Sequence, residues 1–454
     1  MGTATRARTR RSGEGRPARS RRQRGNGRRA GGHRSAPAPQ SSGSASVPAP
    51  RPLSRVGRVG PFQLRQLVLV ELALALAAVG VALQGLWLIP TLTVAVLLVL
   101  FAVVRRRGQA VQDWSSTALA LRARRRTAAP AAVDVDPSLA PIVEGLPGFR
   151  PFPYVDRKRR TVGMLGDGTF LTAVVRVEAG GAAPRPAFGA RTLPLSLLGG
   201  ALEVDDIVLE SVQLVQQVRS APAPHLPQQA VARLSYAPLQ QRTGAPALRM
   251  TWVALKLDPE RCREAIEARG GGVEGAQRCL VRAADHVASR ITGAGFEAVV
   301  LDQEELNSTM ATAACASPRL AARAHRPDAT PQRRTVETAR VWRCDDRWHT
   351  TYAVGRWPDL ANGGEGSALA KLVSLLTATP AYATTFSLAM HRGSRQGAVD
   401  VAGYVRITGG SDTELIGVRR ALEQAARSAK VGLGRLDREQ LPGVLATLPL
   451  GGTQ

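Results

Sequence analysis

The hydrophobic pattern divides this chain into three unlike stretches. Residues 1–60 are arginine, glycine, serine and proline with scarcely a bulky apolar side chain. Such a segment cannot bury enough surface to offset the entropy of ordering, so a disordered tail is expected. Two runs that are apolar on all sides follow, Leu67 to Leu83 and Leu86 to Val104. Each approaches the ~20 residues that cross a hydrocarbon core of about 30 Å, and an all-round apolar helix suits lipid better than one side of a soluble core. The pattern predicts a transmembrane helical hairpin within 61–108. Gln84 and Gly85 supply its turn, Trp87 suits the far interface, and Pro90 falls in the first turn of the second helix, where its missing N–H does little harm. Ala73 with Ala77, and Ala78 with Ala82, are spaced for the close approach of another helix.

Beyond the hairpin the pattern mixes. Residues 109–150 read as a basic juxtamembrane helix, Gln109 to Arg126, and an alanine- and proline-rich connector, so a folded domain is expected from Pro151. There the alternation of strands begins. Thr161 to Leu165 and Thr169 to Val177 flank Gly166-Asp167-Gly168, a signal for a hairpin with a primed turn. Strands are expected at 206–218 and 248–257, a helix at 274–291, and a strand at 296–301 that enters a helix at Asp302. The second half repeats this order. Val341 to Cys344 and Arg347 to Val354 flank Asp345, and a helix (368–376), two strands (384–391 and 399–407) and a helix (414–429) follow.

The expected fold is a membrane-anchored α+β protein, its hairpin followed by a cytoplasmic domain of two related halves, 151–320 and 335–454, joined by a linker at 321–334. Leu301-Asp302-Gln303-Glu304-Glu305-Leu306 recurs as Leu436-Asp437-Arg438-Glu439-Gln440-Leu441. Both copies set Asp at a helix N-cap with Glu305 or Gln440 three residues on, the spacing of a capping box.

The net charge of +26 changes this picture only through where it lies. Residues 1–126 hold 23 arginines against Glu14, Glu71 and Asp113, so most of the excess sits in the tail and around the hairpin. A nucleic-acid partner is not expected for the folded part. Arg65 precedes the hairpin and Arg105, Arg106 and Arg107 follow it, while the connecting turn carries no positive charge. By the positive-inside rule both ends face the cytoplasm, with these arginines in contact with anionic lipid. The first apolar run begins behind a long basic segment, so it is expected to be an anchor and not a cleaved leader.

Candidate chemistry is sparse. Cys262, Cys279, Cys315 and Cys344 form no C-x-x-C pair, and the histidines show no ligand spacing, so no metal is expected. Cys344 and His349 stand on opposite arms of one hairpin, and Asp345-Asp346 is an acidic pair whose first reading is a turn. Gly270-Gly271-Gly272-Val273-Glu274-Gly275 fits G-x-G-x-x-G, but residues 258–269 separate it from the preceding strand, where a dinucleotide fold has glycines directly after a strand. A loop between helices is the better reading. A membrane-bound enzyme using nucleotide or nucleotide-sugar at 270–275 is the alternative. No Walker sequence is present, and neither an enzyme nor a cofactor is expected.

Three segments carry a family resemblance: Thr161-Val162-Gly163 through Asp167-Gly168-Thr169, Thr251-Trp252-Val253-Ala254-Leu255-Lys256-Leu257-Asp258-Pro259, and Arg269-Gly270-Gly271-Gly272. With the two spans, the chain over roughly residues 60–446 resembles EccE, a membrane subunit of the actinobacterial type VII (ESX) secretion apparatus. The resemblance implies a non-enzymatic scaffold at the periphery of the inner-membrane complex, beside EccB-, EccC- and EccD-like subunits, with energy supplied by the EccC-like ATPase. The long basic tail departs from the family's shorter members.

Overall fold

The computed structural model describes residues 62–83, 88–103, 109–128, 135–157, 159–180, 192–219, 248–326, 330–358, 367–393 and 398–452, with a few isolated positions between them. Nearly all of the expected disordered tail, the hairpin turn at 84–87 and Arg107 lie outside the described residues, and for Arg65, Arg105 and Arg106 only the backbone is described. Helices form on both apolar runs, α1 (Leu64–Leu83) and α2 (Leu88–Val103). They pack on a stripe where Ala73 and Gly80 of α1 and Ala95 of α2 are buried, and a Cβ on Gly80 would strike the Thr91 hydroxyl. Ala77 is half-buried, while Ala78 and Ala82 are exposed. Side chains of this pair are described over 71–82 and 89–97, and among the described residues no helix is long and apolar enough to cross a membrane. A third helix, α3 (Val111–Arg126), follows where the basic helix was expected.

The α+β expectation holds, with one large and mostly antiparallel sheet as its centre. After the short helix α4 (Ala140–Val143) come β1 (Arg150–Pro151), β2 (Met164–Gly166), β3 (Leu171–Ala179), α5 (Leu195–Gly200), β4 (Ser211–Arg219) and β5 (Leu248–Leu257). Then follow α6 (Arg263–Glu267), α7 (Gly272–Gly293), β6 (Phe296–Val300), α8 (Gln303–Ala314) and α9 (Pro318–Ala324). The rest is β7 (Thr335–Glu337), β8 (Trp342–Cys344), β9 (Arg347–Arg356), α10 (Ser367–Thr377), β10 (Ala383–Arg392), β11 (Val399–Gly409), α11 (Asp412–Ser428), β12 (Gly432–Arg435) and α12 (Gln440–Leu445). Across the sheet the order is β7-β8-β9-β11-β10-β4-β5-β3-β2-β1, with β6 also on β3 and β12 also on β9. Read outward from the central β10–β4 pair, the order on one side matches that on the other.

Four expectations change in detail. The first hairpin does not close with a two-residue primed turn: Gly166 pairs with Leu171, Gly168 alone takes positive φ (+97°), and the Asp167 carboxylate accepts from the Thr169 N–H and hydroxyl. The strand expected over 206–218 is interrupted, because 203–204 and 207–208 make their own small hairpin before β4 begins at Ser211. The connector expected over 127–150 is built into the core from Val135 onward, with Leu139, Ile142 and Phe149 buried. Its alanine and proline content hides an i, i+3 apolar pair that faces the sheet.

The fourth change concerns the repeated cap. Asp302 accepts from the Glu305 N–H at 2.9 Å and the Glu305 carboxylate accepts from the Asp302 N–H, so the first capping box forms. The second does not. Arg438 turns the chain at φ +68°, Asp437 pairs with Arg435, and α12 starts three residues later without a side-chain cap.

Helices cover both faces of the sheet. One face packs α5, α6, α7, α10 and α11 over aliphatic residues such as Val175, Leu255, Leu388 and Val405. The other carries α4, α8, α12 and the C-terminal segment, and its centre is polar although buried. Gln217, Thr385, Arg406 and Thr351 stand directly across neighbouring strands there, and His349 faces Thr408 one step along. Burial, with the charges of Arg406 and Arg347, pushes the His349 imidazole well below its ordinary pKa of 6.5, and burial also lowers that of His391. The unfolded chain therefore binds protons that the folded chain refuses. Stability is full above pH 6.5 and declines as pH falls below it, by at most about 1.4 kcal/mol per pH unit for each histidine. Urea midpoints at pH 7.5 and 5.0 are expected to show this loss, and His349→Gln to reduce it.

Candidate functional site

The residues singled out by sequence do not assemble into a catalytic centre. Residues 268–271 join α6 to α7 and 272–275 form the first turn of α7, with Gly270, Gly271 and Gly272 at φ of +102°, +71° and +59°. The use of glycine there is conformational, since these signs are disfavoured for other residues. The neighbouring polar groups serve the fold: Arg278 donates to the Arg269 carbonyl, and Arg269 forks onto Asp206. Cys344 does not face His349. The register sets Trp342 opposite His349, with ring centroids 5.0 Å apart, and Cys344 opposite Arg347.

Asp345 is the turn former that the sequence suggests, at φ +54°, but its carboxylate is buried and bridged by Arg334 at 2.8 and 2.6 Å. Asp346 points outward beside Arg347. Among the described residues no group of histidine, cysteine and carboxylate side chains gathers as metal ligands. All four cysteines are free thiols and buried; burial pushes Cys344 well above its ordinary value and Cys279 up to about 11.

The feature that the structure does assemble is a cleft of about 470 Å³ where the end of α3 meets β7. Arg124 and Arg125 in the last turn of α3, with Thr127 and Ala128 just beyond it, supply one wall. Arg124 makes a bidentate pair with Glu337 at 3.1 Å on each arm and reaches the Arg438 carbonyl. Arg125 donates from Nε and Nη2 to the Glu337 carbonyl at 3.1 and 2.9 Å. On the other wall Glu144, from just beyond α4, accepts from the N–H groups of Arg334 and Thr335 and from the Thr335 hydroxyl. Arg333 donates from Nε to the Thr335 carbonyl at 3.0 Å. Pro147, Val336, Trp342 and Leu441 form the apolar part of the lining.

This arrangement couples α3 to the sheet. Bidentate arginine–carboxylate geometry adds orientation to attraction, and Glu337 is only 7% exposed at its side chain, so the Arg124 contact is shielded from solvent. Sequence reasoning missed Arg124, Arg125, Glu144, Arg333 and Glu337. The signal was one of context, because Glu144 and Glu337, 193 positions apart, acquire meaning only once β7 is seen as an edge strand beside α4 and α3.

Residues 245–354 match a family model described as "Putative type VII ESX secretion system translocon, EccE". The match runs from β5 into β9 and so includes β7 and the glycine loop. Among curated proteins, the chain is 28% identical over 226 residues to ESX-1 secretion system protein EccE1 of Mycolicibacterium smegmatis, covering 47% of this chain and 42% of that protein. It is 30% identical over 215 residues to EccE1 of Mycobacterium tuberculosis, covering 44% and 40%. The chain thus spans less than half the length of the curated relatives that it matches. Over residues 245–354 and these partial likenesses, the chain is similar to EccE, a family named for type VII ESX secretion.

Proposed function

We propose that this protein is a non-enzymatic assembly subunit of an inner-membrane type VII secretion complex. In this reading α1 and α2 form a transmembrane hairpin, and the N-terminus and the α+β domain both lie in the cytoplasm. The observation that carries it is the surface of the hairpin. Leu72, Leu74, Val79, Val81, Ile89, Leu92, Val94, Val96 and Leu97 are all exposed, on both helices and on several sides of each. A contiguous apolar surface of this kind needs lipid or another subunit to cover it. Arg65, Arg105, Arg106 and Arg107 would then flank the span at the anionic cytoplasmic leaflet. Ala73 belongs to the seam between α1 and α2, and exposed Ala78 and Ala82 remain for a helix of a partner.

The subunits that this domain would dock are EccB-, EccC- and EccD-like. The matched strand order on the two sides of the β10–β4 pair supports two related halves, although the caps at Asp302 and Asp437 have diverged. The enzyme alternative draws no support from 270–275, where a helix and not a strand precedes the glycines.

Tagged protein purified in mild detergent is expected to bring secretion subunits with it; recovery of the chain alone overturns the assembly reading. Topology has its own test. Because the native cysteines are buried, a single cysteine placed at exposed Arg282 should resist a membrane-impermeant maleimide in intact cells and react after lysis. Labelling in intact cells would overturn the cytoplasmic placement.

A further inference from the structure

The outer edge of β7 is closed by side chains instead of by another strand. Asp345 N–H donates to the Arg334 carbonyl and Thr338 N–H to the Val341 carbonyl, so this alternation turns the Arg334 carbonyl, Val336 and the Thr338 N–H toward β8, while the Arg334 N–H goes to Glu144. Thr335 and Glu337 turn theirs outward. Glu144 takes the Thr335 N–H, Arg333 the Thr335 carbonyl and Arg125 the Glu337 carbonyl. An open strand edge is a template for pairing, and charged side chains commonly block it.

The blockers differ in how firmly they are held. Glu144 is fully buried at its side chain, whereas Arg125 is exposed and the Arg333 side chain is 37% exposed. Both carboxylates of the lining are already engaged, Glu144 by β7 and Glu337 by Arg124 and the Leu441 N–H. An incoming group therefore meets guanidinium donors above an apolar floor. The volume of about 470 Å³ lies within the range of about 300–1,000 Å³ typical of ligand sites.

We propose that this cleft docks an extended acidic segment of a partner protein, its carboxylates held by Arg125 and Arg333 and its backbone added along β7. The exchange conserves hydrogen bonds. Each guanidinium exchanges a neutral carbonyl for a carboxylate, which adds opposite-charge attraction and bidentate geometry to an already ionised donor, and the released carbonyls of Thr335 and Glu337 accept N–H groups of the new strand. The identity of that partner as a secretion subunit rests on the assembly reading above; the binding chemistry does not.

The test uses the full chain in detergent and a peptide of alternating glutamate and valine with a central benzophenone, its cross-links mapped by mass spectrometry. Label is expected on 124–128 and 333–338, and to fall at least tenfold in Arg125→Glu/Arg333→Glu while Arg282→Glu on α7 leaves it unchanged. Val336→Asp, at a position already 46% exposed, should also reduce it and guards against a misfolded double variant. Label confined to residues 1–60, equal label from a lysine–valine peptide, or an equal loss with Arg282→Glu overturns the proposal. So does protection of the cleft by phosphatidylglycerol vesicles with no peptide label, which would assign the site to lipid headgroups. Recovery of secretion subunits with tagged protein is measured in parallel. Subunits recovered without cleft labelling remove the cleft alone, and cleft labelling without subunits removes the assembly reading alone.

Discussion

Removal of residues 447–454 is expected to leave a chain that no longer folds cooperatively. The last residues run across the polar face of the sheet and are read through their backbone. Thr172 donates to the Leu450 carbonyl, Ser211 to the Gly451 carbonyl, and Gln213 both receives the Gly451 N–H at 2.8 Å and donates to the Ala446 carbonyl at 2.9 Å. Leu448 and Leu450 are 1% and 3% exposed. Losing two buried leucines costs about 2–5 kcal/mol each, and stranding buried hydroxyls adds about 1–3 kcal/mol apiece. Together these approach the whole stability of an ordinary domain, about 5–15 kcal/mol. Gly451→Val should reproduce much of the loss, because φ is +94° there and a Cβ would collide with Lys256. Urea denaturation followed by near-ultraviolet circular dichroism measures the effect; a truncated chain with an unchanged transition would show that the segment is dispensable.

Asp345→Ala is expected to cost about 3–5 kcal/mol, the ordinary result of removing one partner from a buried ion pair. Arg334 is only 8% exposed at its side chain and Asp345 not at all. The aspartate also accepts from the Ser317 N–H at 2.7 Å, and Arg334 reaches the Pro137 and Ser317 carbonyls. One pair thus ties the segment before α4, the start of α9 and the β8–β9 turn together. The arginine left behind would be a buried cation without its carboxylate. Arg334→Met combined with Asp345→Leu should recover a large part of the loss, since replacing both charges removes that penalty. A double variant no more stable than Asp345→Ala would mean that the hydrogen bonds to backbone, and not the stranded charge, carry the effect.

These two sites show where sequence reading reached and where it stopped. Asp345 was legible as a turn former from its place between two apolar arms. Its partner was not, because Arg334 lies in a stretch that reads as the edge of a linker and carries no spacing signature. The C-terminal residues are short, apolar and glycine-containing, without a period that would mark them as part of the core. The candidate cleft was hidden for the same reason: its charges come from α3, the segment after α4, and β7, and separation along the chain erases any local pattern.

What the sequence determined by itself was the set of elements with strong local cause. Alternating apolar residues placed β5, β9, β10 and β11, amphipathic spacing placed α7 and α11, and Asp302 with Glu305 marked the start of α8. The continuous apolar runs produced α1 and α2, and the segments around 251–259 and 269–272 carried the EccE resemblance. Tertiary structure alone decided the strand order, the entry of 135–150 into the core, the failure of the second cap at Asp437, and the docking of α3 on β7. Local signals depend on neighbours a few residues apart, whereas each of these outcomes is set by which surfaces remain to be covered once the sheet has closed around its central pair.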